Sequence, residues 1–429
     1  MNIAVIGTGY VGVVTAAVLA DFGNQIWGLD IMEERVENLK KGISPIFEPG
    51  LEELLERGLK ADRLHFTTSY KEALENTNIV FVCVGTPQKD NGEVELSYVE
   101  SAVESIAQTI TKPTVIVLKS TVPPGIHHHL TTLIDKHTQV AYEFASVPEF
   151  LREGSAIADT LNPSRVVIGA DSERARDLLL DIHRQMPGER VVTDIISAQM
   201  IKYAANSFLA TKISFANAIA RICDLVGADV KDVMTGIGLD PRVGGMFLCP
   251  GLGFGGSCFP KDIKGLYHVA LEAGYDFKLL KEVDEINETQ VPYVLAVARK
   301  HIGSFSGKKV AVLGLAFKPD TDDMRDARSI PLIKTLVEEN ASITVFDPVA
   351  MELAKKLLPE NVSYAKSAYE ATQSADAVII VTDWNEFKEL DLAKIRSQMK
   401  GNLLIDGRNI YNPEKVKDNG FVYVGVGRR

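Results

Sequence analysis

The chain has 429 residues, too many for one ordinary hydrophobic core, so two or three domains are expected. Hydrophobic residues make up 46% and charged residues 24%, the proportions of a globular protein in water, and no apolar run approaches a membrane span. The formal net charge of -11 argues against sequence-independent binding to nucleic acid or a membrane surface, although a few local Arg and Lys residues can still hold a small anion.

Residues 3–6 form the first apolar run, a core strand with no basic segment before it, so no signal peptide is expected. Gly7, Gly9 and Gly12 follow as GxGxxG and open a helix rich in Ala and Val. In that context the glycines serve a tight turn, a close approach to a pyrophosphate and a helix packed on a strand, with the phosphates at the helix N-terminus. Asp30 ends the second strand, residues 25–30, where a carboxylate binds a ribose 2′-OH and repels a 2′-phosphate. NAD is therefore favoured over NADP, and Arg35 is expected beside the adenosine. Further strands at residues 79–84, 115–119 and 166–169 alternate with helical patterns, which implies a mainly parallel sheet. The triplet His127, His128, His129 has no partner ligands and is expected on a solvated helix face, so no metal is expected.

From residue 197 to about 226, apolar residues recur at helical spacing with no Gly or Pro until Gly227. This is one long helix, apolar on more than one side and expected to be buried between domains or subunits. A second α/β unit starts near Lys308, with strands at 310–313, 343–347, 377–382 and 403–406. Its first turn, GLAFK, lacks the third glycine of the fingerprint, so a ligand other than a dinucleotide is expected. The fold class is two Rossmann-like, doubly wound α/β domains joined by a long central helix and a helical dimerisation segment. The expected boundaries are 1–196 for the NAD-binding domain, 197–300 for the central segment and 301–429 for the last domain.

Four cysteines, Cys83, Cys223, Cys249 and Cys258, lie far apart without CxxC spacing, which suggests reduced thiols in the cytoplasm. Cys83 and Cys223 sit in apolar runs as core residues, and Cys249 is taken as structural. Cys258 differs. It follows glycines at 251, 253, 255 and 256, precedes Pro260 and Lys261, and is expected to enter a helix whose N-terminus favours a thiolate. Such glycines would build a poor core, which favours a nucleophile over a buried small residue. A hydride acceptor together with a poised thiol points to an alcohol oxidised past the aldehyde, through a thioester, to an acid. Lys202 and Asn206, four apart on one helix face, can supply charge and a donor to a developing oxyanion, or form a polar stripe on a packed helix.

The motifs GTGYVG (7–12), VGTP (84–87), STVPPG (120–125), PEFLREG (148–154), KYAANSFLATKISFAN (202–217), GFGGSCFPKD (253–262) and FKPDTDDMRDA (317–327) resemble the UDP-glucose/GDP-mannose dehydrogenase family, and within it the UDP-glucose type. The resemblance implies oxidation of the C6 hydroxyl of UDP-glucose to a carboxylate with two NAD reduced per sugar. It implies that Cys258 traps the aldehyde, that Asp262 holds a water, that Glu149 assists thioester hydrolysis and that Thr121 contacts water and cofactor. The division of roles between Glu149 and Asp262 stays open. Cofactor contacts are implied for Tyr10, Val11, Thr86, Glu153, Lys261 and Arg325 beside the fingerprint glycines, Asp30 and Arg35. Sugar-nucleotide contacts are implied for Phe150, Leu151, Arg152, Phe247, Leu248, Gly255, Phe317, Lys318 and Arg408. Arg242 resembles an arginine that crosses into a neighbouring subunit's site, which implies a homodimer. Many members carry Asn where this chain has Val147, a departure beside Glu149.

Other readings remain open at this stage. The same chemistry could serve GDP-mannose or a UDP-N-acetylhexosamine. A one-step 3-hydroxyacid-type dehydrogenase would need no thiol, and a non-catalytic NAD sensor would form no NADH.

Overall fold

The computed structural model describes residues 1–89 and 91–428. They form two compact units, one of residues 1–205 with 268–273 and one of residues 206–267 with 274–429.

The first unit carries strands β1 (Asn2–Ile6), β2 (Gln25–Leu29), β3 (Leu64–Thr67), β4 (Ile79–Val82), β5 (Thr114–Leu118), β6 (Tyr142–Ser146), β7 (Arg165–Ala170) and β8 (Glu189–Thr193). They pair in the order β3-β2-β1-β4-β5-β6-β7-β8. Every pair is parallel except β6 with β7, which is antiparallel over Ala145↔Ala170 and Ser146↔Gly169. Parallel strands covered on both faces read as unbroken apolar runs, and β4, IVFV, is buried at every position. The chain order reverses between β1 and β4, so a crevice opens at their C-terminal ends, where ligands of such sheets bind.

The second unit repeats that order. Its strands β9 (Lys309–Leu313), β10 (Ser342–Phe346), β11 (Ser363–Tyr364), β12 (Ala377–Ile380), β13 (Leu403–Asp406) and β14 (Val422–Gly425) pair as β11-β10-β9-β12-β13-β14, all parallel. The switch point between β9 and β12 is filled from within. Asp347, at the end of β10, accepts the amides of Leu315 at 2.7 Å and Ala316 at 3.2 Å. A Cβ on Gly314 would lie 2.5 Å from Thr382. The Leu315 bond repeats that of Thr8 with the carboxylate after β2 in the first unit, while the turn carries Ala316 in place of the second glycine and lacks the third.

The central helix runs Ile195–Val226, 32 residues. Within one chain it leaves Phe208, Phe215, Ile222, Leu225 and Val226 exposed, so the burial expected of its whole apolar surface is not met by this chain alone. One other expectation is corrected, that for His127. His127 is buried rather than solvated, packed edge-on against Phe144, while His128 and His129 remain exposed. Cys249 is exposed, unlike the buried Cys83 and Cys223. Among the described residues no helix is long and apolar enough to cross a membrane.

Candidate active site

In the first unit the turn after β1 is shaped by its glycines. Gly7 has φ of +88°, which disfavours any side chain, and a Cβ on Gly12 would lie 1.8 Å from the Gly7 carbonyl oxygen. A Cβ on Gly9 would meet nothing within 4 Å, so the backbone there faces open space at the start of the helix Tyr10–Asp21. Open space beside free N-terminal amides fits a pyrophosphate. Val11 lies half-buried in the first turn of that helix.

Asp30 lies just beyond β2. Its Oδ2 accepts the Thr8 amide and hydroxyl, each at 2.9 Å, and Arg35 at 2.9 Å, while Oδ1 accepts the Met32 amide at 3.1 Å. Burial pushes this carboxyl up, but the Thr8 and Met32 amides and Arg35 outweigh it and hold the group below the ordinary carboxylate range. It is therefore a carboxylate at neutral pH with capacity left on Oδ1 for a hydroxyl donor. Arg35, expected beside the adenosine, pairs with Asp30.

At the end of β4, Thr86 donates to the Thr121 carbonyl at 2.9 Å and Ser120 to that of Val84 at 2.6 Å. These bonds join the VGTP and STVPPG turns into one rim, with Thr121 half-buried on it. Tyr10 turns its hydroxyl toward the PEFLREG segment, donating to Glu48 and accepting the Gly154 amide at 2.8 Å. Burial, then the Glu48 bond, raises the Tyr10 hydroxyl above its ordinary range, so it stays protonated. Glu48 also accepts the Gly154 amide at 2.7 Å. Glu48 was not among the residues expected from sequence.

The PEFLREG segment carries the acid-base candidates of this unit. Glu149 receives Lys202 at 2.8 Å on Oε1 and the Leu151 amide at 3.0 Å on Oε2. The Phe150 ring holds the Arg165 guanidinium 3.8 Å from its centroid, with the Lys202 ammonium at 5.4 Å. Lys119, another residue missed from sequence, also acts on this group: burial lowers its affinity for a proton, and the charge of Glu149 opposes that. Arg152 is instead fastened to Asp159 by two bonds, 2.9 and 2.7 Å, and Glu153 is buried.

In the second unit the glycine-rich loop leads directly into the helix Phe259–Glu272. The Cys258 carbonyl accepts the Asp262 amide at 2.8 Å, so the thiol residue stands at the N-cap of that helix, where amides and dipole favour a thiolate. The thiol is partly exposed, 3.6 Å from the Ser257 hydroxyl. Asp262 is 1% exposed; its Oδ2 accepts Asn206 at 2.6 Å and its Oδ1 accepts Lys261 at 2.5 Å. The glycines at 251–256 are fully buried, contrary to the expectation that they would make a poor core. They are needed because main chains meet there: a Cβ on Gly255 would lie 2.3 Å from the Asp326 carbonyl oxygen, and one on Gly256 would lie 2.8 Å from Phe317.

Other expected sugar contacts divide by geometry. Phe247 has φ of +66° and its ring faces Phe259 at 6.2 Å, while Lys318 stands 5.8 Å over the Phe317 ring. Leu248, expected at the sugar, is 6% exposed and packs in the core of this unit, which leaves only its main chain for a ligand. Arg408, expected at phosphate or sugar, donates instead to the carbonyls of Val381 at 2.7 Å, Phe317 at 3.1 Å and Gly253 at 3.3 Å. Arg325 forks onto Asp323 at 2.8 and 2.7 Å. Arg242, 88% exposed, forks onto Asp240.

Comparison with known proteins agrees over the whole chain. Residues 1–187 match the NAD binding domain, residues 196–289 the central domain and residues 311–413 the UDP binding domain of the UDP-glucose/GDP-mannose dehydrogenase family. The chain is 45% identical to UDP-glucose 6-dehydrogenase YwqF of Bacillus subtilis, covering 100% of this chain and 98% of the relative. It is 43% identical to UDP-glucose 6-dehydrogenase of Rhizobium meliloti, covering all of both. A solved UDP-glucose dehydrogenase of Pyrobaculum islandicum superposes with a TM-score of 0.94 at 38% identity, covering 100% of this chain and 98% of that one. A UDP-D-ManNAc dehydrogenase of Pyrococcus horikoshii superposes at 0.89 with 30% identity, covering 100% and 99%.

Proposed function

The chain belongs to the UDP-glucose/GDP-mannose dehydrogenase family, and from that premise we propose that it oxidises UDP-glucose to UDP-glucuronate with NAD through a covalent intermediate on Cys258. One observation carries the thiol assignment: Cys258 sits at a helix N-terminus one turn before Asp262, whose buried carboxylate is bonded to Asn206.

NAD, when bound, supplies the acceptor for one hydride, so two NAD molecules would serve in turn, one for each oxidation of C6. The protein has to bind, orient and manage protons. Gly7, Gly9 and Gly12 offer main-chain approach to the pyrophosphate, and Asp30 accepts a ribose hydroxyl. The first oxidation leaves an aldehyde and releases the hydroxyl proton. Cys258 thiolate adds to the aldehyde carbon, forming a C–S bond and an alkoxide, which Lys202 and Asn206 stabilise as cation and donor. The second oxidation turns this thiohemiacetal into a thioester. Water then attacks the thioester carbon and gives up one proton to a carboxylate; the C–S bond breaks, leaving a free thiolate and the hexuronic acid, which loses its proton to solvent as hexuronate. Glu149 and Asp262 are the candidate acceptors. A covalent adduct holds C6 in place for both oxidations, where a free aldehyde could escape.

The last domain is proposed to bind the UDP group, with Phe317 and Lys318 among its contacts and Arg408 acting as a fastener of the loop. The exposed side chains of Phe208, Phe215 and Ile222, each seven residues apart, form an apolar stripe on the central helix. That stripe supports a homodimer, and the exposed fork of Arg242 suits a reach into the partner's site. Free thiols throughout and a need for cellular NAD support a place in the cytoplasm.

The test is a panel of UDP-glucose, GDP-mannose and UDP-N-acetylmannosamine with NADH counted per sugar consumed. Two NADH per UDP-glucose, with the other sugars poor, is expected. One NADH per sugar, or preference for an N-acetylhexosamine, overturns the corresponding part.

A further inference from the structure

The glycine-rich loop has few side chains with which to define its own path, yet Cys258 lies only two residues beyond Gly256. Its position must come from what grips the main chain. That grip is built from carboxamides. Asn287, fully buried near the end of the helix Lys278–Glu288, accepts the Phe254 amide at 2.8 Å on Oδ1 and donates to the Phe254 carbonyl at 3.1 Å through Nδ2. One side chain thus satisfies both main-chain groups of one loop residue, as a neighbouring strand would. Three residues on, Gln290 donates to the Gly251 carbonyl at 2.9 Å, and Asn217 on the central helix accepts the Gly251 amide at 2.8 Å. Arg328 adds a second donor to the Phe254 carbonyl at 2.9 Å. Gly253 has φ of +105°, and a Cβ there would lie 2.6 Å from the Asn287 Oδ1, so the loop and its clamp fit without slack.

We propose that Asn287 is a positioning residue for the thiol chemistry: its carboxamide fixes the main chain of the loop and thereby the place from which Cys258 attacks. The inference rests on Cys258 being the nucleophile. Asn287 is fully buried with its carboxamide spent on Phe254, so it acts through the loop. Apolar packing of Leu252 and Phe254 would hold the loop loosely, because apolar contacts are not directional, whereas paired donor and acceptor bonds fix a main chain along its length. A displacement of about 1 Å at a reacting atom lowers rates by about 100-fold.

The experiment uses the full chain carrying Asn287→Ala, Asn287→Asp or Gln290→Ala, with turnover expressed per folded chain from melting curves. Asn287→Ala is expected to lower kcat by about 100-fold while the KM for NAD changes by less than about twofold, since the dinucleotide turn lies in the other unit. Asn287→Asp keeps the acceptor for the Phe254 amide and loses the donor, and an intermediate loss is expected. If Asn287→Ala does not fold, Gln290→Ala, which frees only the Gly251 carbonyl, decides: a kcat reduced several-fold at unchanged KM for NAD supports the inference. A kcat within about twofold of the parent in folded Asn287→Asp and Gln290→Ala overturns it. Cys258→Ala separates the two levels. Retained turnover in that variant sinks the thiol assignment itself, whereas lost turnover alongside unaffected clamp variants sinks only the clamp.

Discussion

Lys202 donates a 2.8 Å hydrogen bond to Glu149 with their side chains 4% and 8% exposed, which makes the pair a buried ion pair at the base of the PEFLREG segment. Removing one partner leaves the other charge uncompensated, at a cost of about 3–5 kcal/mol. Lys202→Ala is therefore expected to lose both stability and turnover, read by thermal unfolding and initial rates. An unchanged melting temperature would contradict the pairing.

Glu149→Gln keeps the volume and the acceptor for Leu151 while removing the carboxylate. If Glu149 serves hydrolysis, stopped flow should show a burst of two NADH per site followed by a steady rate lower by about 100-fold or more. A single slow phase with no burst would place Glu149 before the second oxidation instead.

Asp30 is held ionised by the Thr8 and Met32 amides and by Arg35. Asp30→Ala should raise the KM for NAD about tenfold and relieve the repulsion against a 2′-phosphate, so the rate ratio of NADP to NAD rises. Initial rates with both dinucleotides check this, and an unchanged ratio would refute the assigned role.

Burial, then the charge of Lys119, pushes the His183 imidazole down from its ordinary 6.5 to about 4. The unfolded chain therefore binds a proton more readily than the folded one in this range. The contribution to stability is fully present above pH 6.5 and is lost as pH falls toward about 4, by up to about 3 kcal/mol. His183→Phe, packed against Phe81, should flatten this loss; calorimetry across the range shows whether it does.

Strands β1, β2, β4, β5, β7, β9, β10, β12 and β13 were legible from sequence because buried parallel strands such as IVFV are unbroken apolar runs, whereas β3, β6, β8, β11 and β14, each with polar or exposed positions or few residues, were not. The glycine turn and the helix that follows Cys258 were legible because their neighbours in the chain are their neighbours in space, and Asp30 because it follows the second strand, although it bonds Thr8 across 22 residues. Glu48, Lys119 and Asn287 were not. Each acts across a gap of many residues, Glu48 on Gly154 and Asn287 on Phe254, and a single buried polar residue leaves no period in the sequence. The bonds of Arg408 to the carbonyls of Val381, Gly253 and Phe317 were equally invisible, since these partners lie 27, 155 and 91 residues away.

The stripe of Phe208, Phe215 and Ile222 should be covered by a second copy. Phe215→Glu places a charge at its middle, and light scattering is expected to report a monomer where the parent is a dimer. A parent that is already monomeric at micromolar concentration would contradict the stripe's role.

The central claim is a bond between Cys258 and the oxidised C6 carbon. Cys258→Ser retains a hydroxyl that adds to the aldehyde, but the ester it forms hydrolyses more slowly than a thioester. Incubated with UDP-glucose and NAD, acid-quenched and digested, this variant should show the UDP-hexuronyl mass attached to residue 258 in peptide mass spectrometry, with two NADH formed per adduct. Two NADH released per sugar by the parent enzyme, with no adduct on residue 258 in either protein, would contradict the account.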